Sequence, residues 1–165
     1  MTGRARVFGD HINTDYIVTS RRKRESLDPQ VLRRYLFEEI DPRFAASVEA
    51  GDVIVAGHNF GCGSAMEVAV TAVLGAGIGV IAARSFSRTY YRNAVNNGLL
   101  PVVCNTSEIS EGDPITVLRE PRLAVRNERT GELLPADAMP AIMWAIIDAG
   151  GLVPYLRKYG DFEVA

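Results

Sequence analysis

The chain has 165 residues, 47% of them apolar and 23% charged, with a formal net charge of −2. That length predicts one domain, 1–165, large enough to bury a real core, and the composition is that of an ordinary soluble globular protein. The charge gives no general pull toward nucleic acid or membrane, no apolar run approaches the roughly 20 residues that span a bilayer, and no signal-peptide core follows Met1; a cytoplasmic protein is expected.

Residues 4–8 read as a short opening strand that stops at Gly9-Asp10. Residues 11–27 show little periodicity and carry Arg21-Arg22-Lys23-Arg24, four consecutive cations. This predicts a long surface loop, and long loops without their own structure are often functional. Asp28-Pro29 opens a helix to about Phe37, with Asp28 as N-cap and Pro29 at the first position. A second Asp-Pro, Asp41-Pro42, starts a shorter helix through Val48. Gly51-Asp52 then turns into a buried strand, Val53-Ile54-Val55-Ala56.

The most informative stretch follows: Gly57-His58-Asn59-Phe60-Gly61-Cys62-Gly63-Ser64-Ala65-Met66-Glu67. Its glycines crowd a turn between that strand and a helix predicted to begin near Ser64. Such a turn exposes backbone N–H groups at a helix N-terminus, where the dipole favours negative charge. It suits an anionic substrate and a serine oxygen that loses its proton. Ser64-Ala65-Met66-Glu67 also fits a capping box, in which Glu67 reaches back to the Ser64 N–H. One residue can shape the turn and face a site as well. The dinucleotide code G-x-G-x-x-G fails at Met66, a P-loop lacks its lysine before Ser64, and the hydrolase elbow has another spacing.

Beyond Ser64, the residues Val68, Ala69, Ala72, Val73 and Ala76 make a helical apolar face. Residues 80–82 form a buried strand, Ser85 or Ser87 starts another helix, Asn97-Gly98 closes it, and 99–104 is the next strand. Helices alternating with short apolar strands predict α/β architecture with parallel strands. The pattern then changes. Residues 112–125, with a turn at 127–131, read as β-hairpins, 139–149 as a terminal core helix, and 152–159 as a last helix after Gly150-Gly151.

Cys62 and Cys104 are the only cysteines, and His11 and His58 the only histidines. An iron–sulfur cluster usually takes three or four thiolates, and zinc three or four Cys, His or carboxylate ligands. No metal site is therefore expected within this chain, and a cluster would have to come from a partner. Cys62 reads either as a small residue packed beneath the turn or as a reactive thiol.

Several segments in register resemble one family. Gly9-Asp10-His11-Ile12-Asn13-Thr14-Asp15 is similar to its opening G-D-x-x-x-T-D. Asp41-Pro42-Arg43-Phe44, Gly51-Asp52-Val53-Ile54-Val55-Ala56-Gly57 and Asn59-Phe60-Gly61-Cys62-Gly63-Ser64 follow in the family's order. So do Ser85-Phe86-Ser87-Arg88, Tyr91-Arg92-Asn93-Ala94, Asn97-Gly98-Leu99-Leu100-Pro101 and the terminal Gly150-Gly151-Leu152. Together they resemble the small subunit of isopropylmalate isomerase (3-isopropylmalate dehydratase), of the aconitase superfamily.

The resemblance implies a swivelling β/β/α domain of the aconitase C-terminal type. It implies a separate large subunit that carries a [4Fe-4S] cluster, whose open iron acts as a Lewis acid on the substrate's hydroxyl and carboxylate. The reaction it implies is elimination and re-addition of water on a small hydroxy di- or tricarboxylic acid, as in leucine biosynthesis. By position Ser64 is the base, and a serine can serve so only where N–H groups and cations stabilise its alkoxide. Asp15 matches an active-site carboxylate, and reads equally as a turn Asp accepting backbone N–H bonds. Arg88 matches an arginine near the site, and reads otherwise as a surface ion pair. Gly63 and Ala65 fall at the substrate-facing turn. Lys23 or Arg24 falls where the family reads the substrate's variable group, and either also fits a solvated charge run.

One departure bears on substrate. The family usually reads G-x-G-S-S-R-E where this chain has Gly61-Cys62-Gly63-Ser64-Ala65-Met66-Glu67. Losing a charge-assisted contact such as the arginine's costs roughly 1.5–3 kcal/mol, about ten- to a hundredfold in binding. The basic run 21–24 is the expected compensation, with a shifted carboxylate clamp and a substrate such as dimethylmalate, methylmalate, maleate or homoaconitate. A non-catalytic swivelling partner domain, or a phosphohistidine carrier using His58, are the readings from other classes.

Overall fold

A computed structural model of the chain describes residues 2–162. Four strands run parallel: β1 (Thr2–Val7), β2 (Val53–Ala56), β3 (Val80–Ala83) and β4 (Leu100–Val103). Three more, β5 (Pro114–Leu118), β6 (Ala124–Asn127) and β7 (Leu133–Pro135), add antiparallel on the other side of β1. The order in space is β4-β3-β2-β1-β5-β6-β7, with Ala5 opposite Val53 and Ile54 opposite Ile81. The sheet curls until Cys104, just past β4, bridges Ala136, just past β7. The Asp137 N–H donates to the Val103 carbonyl at 2.9 Å across the same junction.

Successive strand residues face opposite ways, and here both faces are buried. Val53, Val55, Val80 and Ala82 point into the curl, where they meet Ile115, Val117 and Val125 of the hairpins. Ile54, Ala56, Ile81 and Ala83 point outward to the helices. Those are α1 (Thr14–Ile17), α2 (Ser20–Glu25), α3 (Pro29–Leu32), α4 (Phe44–Ser47), α5 (Val68–Gly75) and α6 (Arg88–Asn96). The mixed α/β architecture with parallel strands is the expected one.

Three sequence expectations change. Residues 11–27 are not an unstructured surface loop: they form α1 and α2, and Ile17 at the end of α1 and Val18 after it are fully buried. The helix opened by Asp28 is shorter than expected. Asp28 does cap it, accepting from the Gln30 N–H at 2.8 Å, but after α3 the chain tightens into a 3₁₀ turn at Arg33–Tyr35. The apolar stretch 139–149 gives α7 (Ala141–Asp148), yet only its Ile146 is buried, so α7 is a half-exposed cover. With α8 (Leu152–Tyr159) it closes a small cluster around Val95, Ile146 and Tyr155.

One charged seam ties the two halves. Arg6, on β1, is nearly buried and bonds Asp52 (3.3 Å), Glu111 (2.9 Å) and the Ser47 hydroxyl (2.8 Å). Burial pushes the Asp52 carboxyl up, but Arg4, the Glu49 N–H and Arg6 outweigh it and hold it below the usual range. A buried carboxylate tolerates its place only when paired and hydrogen-bonded in this way.

Candidate active site

The loops that leave the C-terminal ends of β1, β2 and β3 lie side by side. In open α/β sheets that end of the strands is where ligands bind. After β1 and β2 the two chains keep the parallel course of their strands. The Gly57 N–H donates to Gly9 (3.2 Å), His11 to His58 (2.7 Å), Gly61 to Ile12 (2.8 Å) and Thr14 to Cys62 (2.8 Å). Gly61 and Gly63 have φ of +74° and +94°, and each is also crowded. A Cβ at Gly61 would lie 2.1 Å from the Tyr90 ring, and one at Gly63 would lie 2.4 Å from Asn13 Oδ1. Glycine is therefore required at both positions by conformation and by space.

The loop after β3 clamps the turn from the other side. The Ser85 hydroxyl accepts from the Asn59 N–H at 2.8 Å, and the Ser87 hydroxyl donates to the Gly61 carbonyl at 2.6 Å. Ser87 also caps α6, so Arg88 is the first residue of that helix, exposed at the rim of the turn. The expectation of a helix starting at Ser85 or Ser87 resolves to Ser87.

Ser64 does not cap a helix. The α5 helix begins at Val68, with Glu67 in the cap position and no side-chain capping bond. The Ser64 carbonyl, which in a helix starting there would face the Val68 N–H, accepts from the Thr14 hydroxyl at 3.0 Å. Residues 64–67 stay irregular, and the capping box and a dipole centred on Ser64 are both corrected. Gly63, Ser64 and Ala65 are exposed, and their backbone N–H groups donate to no described residue. The Ser64 hydroxyl has no described partner either. Three successive N–H groups without a described acceptor are left available to a ligand.

Asp15 sits one residue after Thr14, half-buried. Its Oδ1 accepts from the Ser20 N–H (2.8 Å) and the Ser20 hydroxyl (2.6 Å). The reading of Asp15 as a turn residue accepting backbone bonds is thus realised, and its second oxygen accepts from no described residue.

The first comparisons bear on what this arrangement belongs to. Residues 37–107 match the model of the aconitase C-terminal domain. The 3-isopropylmalate dehydratase small subunit 1 of Methanopyrus kandleri is 47% identical, covering 96% of this chain and 93% of its own length. The chain belongs to the isopropylmalate dehydratase small-subunit family. A crystal structure of 3-isopropylmalate dehydratase from Methanocaldococcus jannaschii matches this fold with a TM-score of 0.92 at 40% identity, over 96% of this chain and 94% of that one. The methanogen homoaconitase small subunit of the same organism is 41% identical over 94% of this chain and 91% of its own.

Within this small-subunit fold, the predicted residues divide. Gly63, Ser64, Ala65, Asp15 and Arg88 lie on segments joined by the bonds above. Lys23 and Arg24 lie on α2, exposed and without an ion pair to any described residue, and no described bond joins them to Ser64. Of the other two cations Arg22 is committed: it forks onto Glu38 (2.9 and 3.0 Å), reaches Glu25 (3.0 Å) and stacks on Tyr35 at 3.7 Å. Arg21 reaches Glu38 only at 4.0 Å. Met66, where the resemblance places an arginine, is buried in the helix-side core. Arg88 makes no ion pair to a described residue, so its surface-pair reading is not realised.

A depression lined by His58, Arg84, Cys104, Asn105 and Asp137 includes neither Ser64 nor Asp15. The candidate site is open on the surface. Asp10 lies between the two: the His58 N–H (2.6 Å) and, more weakly, His58, His11 and Arg84 hold its carboxyl below the usual range. Among the described residues no three His, Cys, Asp or Glu stand together to hold a metal ion. Cys104 is buried and its thiol is pushed up to about 11, by burial and then by Asp137, which leaves it protonated. The donor set of this chain does not fit a cluster.

The hydroxyls of Thr14, Ser20, Ser85 and Ser87 were missed as site builders. Ser85 and Ser87 had a signal: two serines two apart after a strand share one face. Thr14 and Ser20 had none that separates them from solvated hydroxyls.

Proposed function

We propose that this chain is the small subunit of a hydro-lyase that removes and re-adds water on a small hydroxy di- or tricarboxylic acid of the 3-isopropylmalate type. The observation that carries the proposal is the exposed Ser64 hydroxyl beside the open N–H groups of Gly63, Ser64 and Ala65, tied by Thr14 to the half-buried Asp15. Ser64 takes the proton alpha to a substrate carboxylate, and the neighbouring N–H groups stabilise the charge left on its oxygen. Asp15 orients the substrate or relays the proton. Arg88 contributes positive charge at the rim, and Lys23 and Arg24 are the remaining cations for the substrate's variable end.

An open site needs a second surface to exclude water, and the relatives' names as small subunits agree with a large-subunit partner. A [4Fe-4S] cluster, in this reading, belongs to that partner and supplies Lewis-acid activation of the leaving hydroxyl. Relatives of similar identity are named for different acids: 3-isopropylmalate, homoaconitate chemistry, and isopropylmalate with citramalate. Overall similarity therefore does not decide the substrate, and the exposed α2 cations and the Ala65-Met66 departure are the residues to test for it.

The test is anaerobic purification of the tagged chain from its native cell, followed by native mass, iron content and dehydration assays across hydroxy acids. A larger companion with about four irons and hydro-lyase activity is expected. A companion-bound complex inactive on the whole panel would favour the non-catalytic partner domain.

A further inference from the structure

We propose that Ser20 is a positioning residue that fixes the Asp15 carboxylate for reaction; this rests on the reading of Asp15 as an active-site group. Asp15 reaches five residues forward, over the α1–α2 corner, and one of its oxygens takes both donors of Ser20: the N–H at 2.8 Å and the hydroxyl at 2.6 Å. The corner cannot swing, because Ile17 and Val18 within it are fully buried.

The hydroxyl is surplus to the helix. Thr19 already caps α2, its side chain accepting from the Arg22 N–H at 3.3 Å, and the Ser20 N–H alone would satisfy the Asp15 turn. What the hydroxyl adds is control of the carboxylate plane. The last torsion of an aspartate is broad, and a single donor leaves it free to rotate. A second, charge-assisted donor from the same residue selects one orientation. Buried Met66 walls the hydroxyl from the far side, its sulfur 3.8 Å from Ser20 Oγ. The hydroxyl's one hydrogen is given to Asp15, so the sulfur contact is packing that keeps the hydroxyl in place. The consequence is that the second Asp15 oxygen, which accepts from no described residue, is held in one direction for a ligand.

The experiment compares Ser20→Ala, Ser20→Thr and Asp15→Asn in the complex with the large subunit, reading kcat and KM separately and following amide exchange over 20–25. Ser20→Ala should lower kcat about tenfold with KM changed less than about twofold, and Ser20→Thr should restore most of the rate. Amide protection over 20–25 should match the parent, since the Thr19 cap and the backbone bond remain. Parent kcat in Ser20→Ala, with Asp15→Asn inactive, overturns the positioning role and leaves the proposed function standing. Loss of α2 protection in Ser20→Ala overturns it in favour of a structural cap. An Asp15→Asn complex as active as the parent removes Asp15 from the site, and the positioning role with it.

Discussion

Thr14 donates its hydroxyl to the Ser64 carbonyl at 3.0 Å, across fifty positions of sequence. That bond ties the Ser64 carbonyl to the loop after β1, four residues before α5 begins. Thr14 is 1% exposed, so valine keeps the shape and removes the donor. Thr14→Val should cost about 1–3 kcal/mol, by leaving a carbonyl without its partner. Urea melts should show a lower midpoint with an unchanged slope, and the complex should lose activity because Ser64 is no longer pinned. An unshifted midpoint would mean that another donor reaches the carbonyl.

Ser64→Ala separates chemistry from folding. The side chain is exposed and has no described partner, so stability should stay within about 0.5 kcal/mol of the parent. Turnover of the complex should fall by roughly 10²–10⁴, the usual contribution of a positioned base. A variant with full turnover would show that the proton goes elsewhere.

The turn before it depends on Gly61. Alanine there must adopt φ of +74° and meet the Tyr90 ring, whose hydroxyl is itself fixed on the Ala69 carbonyl at 3.2 Å. Gly61→Ala should destabilise by at least about 2 kcal/mol, from left-handed strain and overpacking. Thermal unfolding of the isolated chain measures it.

The four adjacent cations should behave differently. Arg22→Ala loses a forked ion pair and a stacked ring and should lower the thermal midpoint measurably. Arg24→Ala and Lys23→Ala should leave stability within about 0.5 kcal/mol and raise the KM of the complex for a carboxylate substrate. Unchanged kinetics in both would remove α2 from substrate recognition.

Acid should expose the Asp113 cluster. Arg129, the Ser110 N–H and the Asn127 amide hold the Asp113 carboxyl far below its usual range. A depressed folded-state pKa stabilises above the unfolded value near 4 and is lost as pH falls below it. Denaturation midpoints should therefore drop between about pH 4 and 2, and Asp113→Asn should be weaker at pH 7 with a flatter acid limb.

The two apolar strands β2 and β3 were legible because both faces are buried, which writes them as unbroken runs such as Val53-Ile54-Val55-Ala56. Asp28 was legible as a cap, and Ser87 as one of two candidates with Ser85, because capping is decided within three residues. The start of α5 was not, since the segment before it is tied to Thr14, fifty positions away. The α1 helix was also hidden: four residues show no period, and it is held by Asn13 accepting from the Asp15 N–H and by Ile17 in the core. For α7, apolarity gave the helix but not its burial, which depends on how much of the curled sheet it covers.

The closure of the sheet through Cys104 and Ala136 has a consequence for the chain on its own. Outermost strands with free N–H and C=O rows are templates for aggregation. Here both are short, four residues in β4 and three in β7, and each is turned toward the other instead of toward solvent. A protein built this way offers its own copies little free strand edge to pair with.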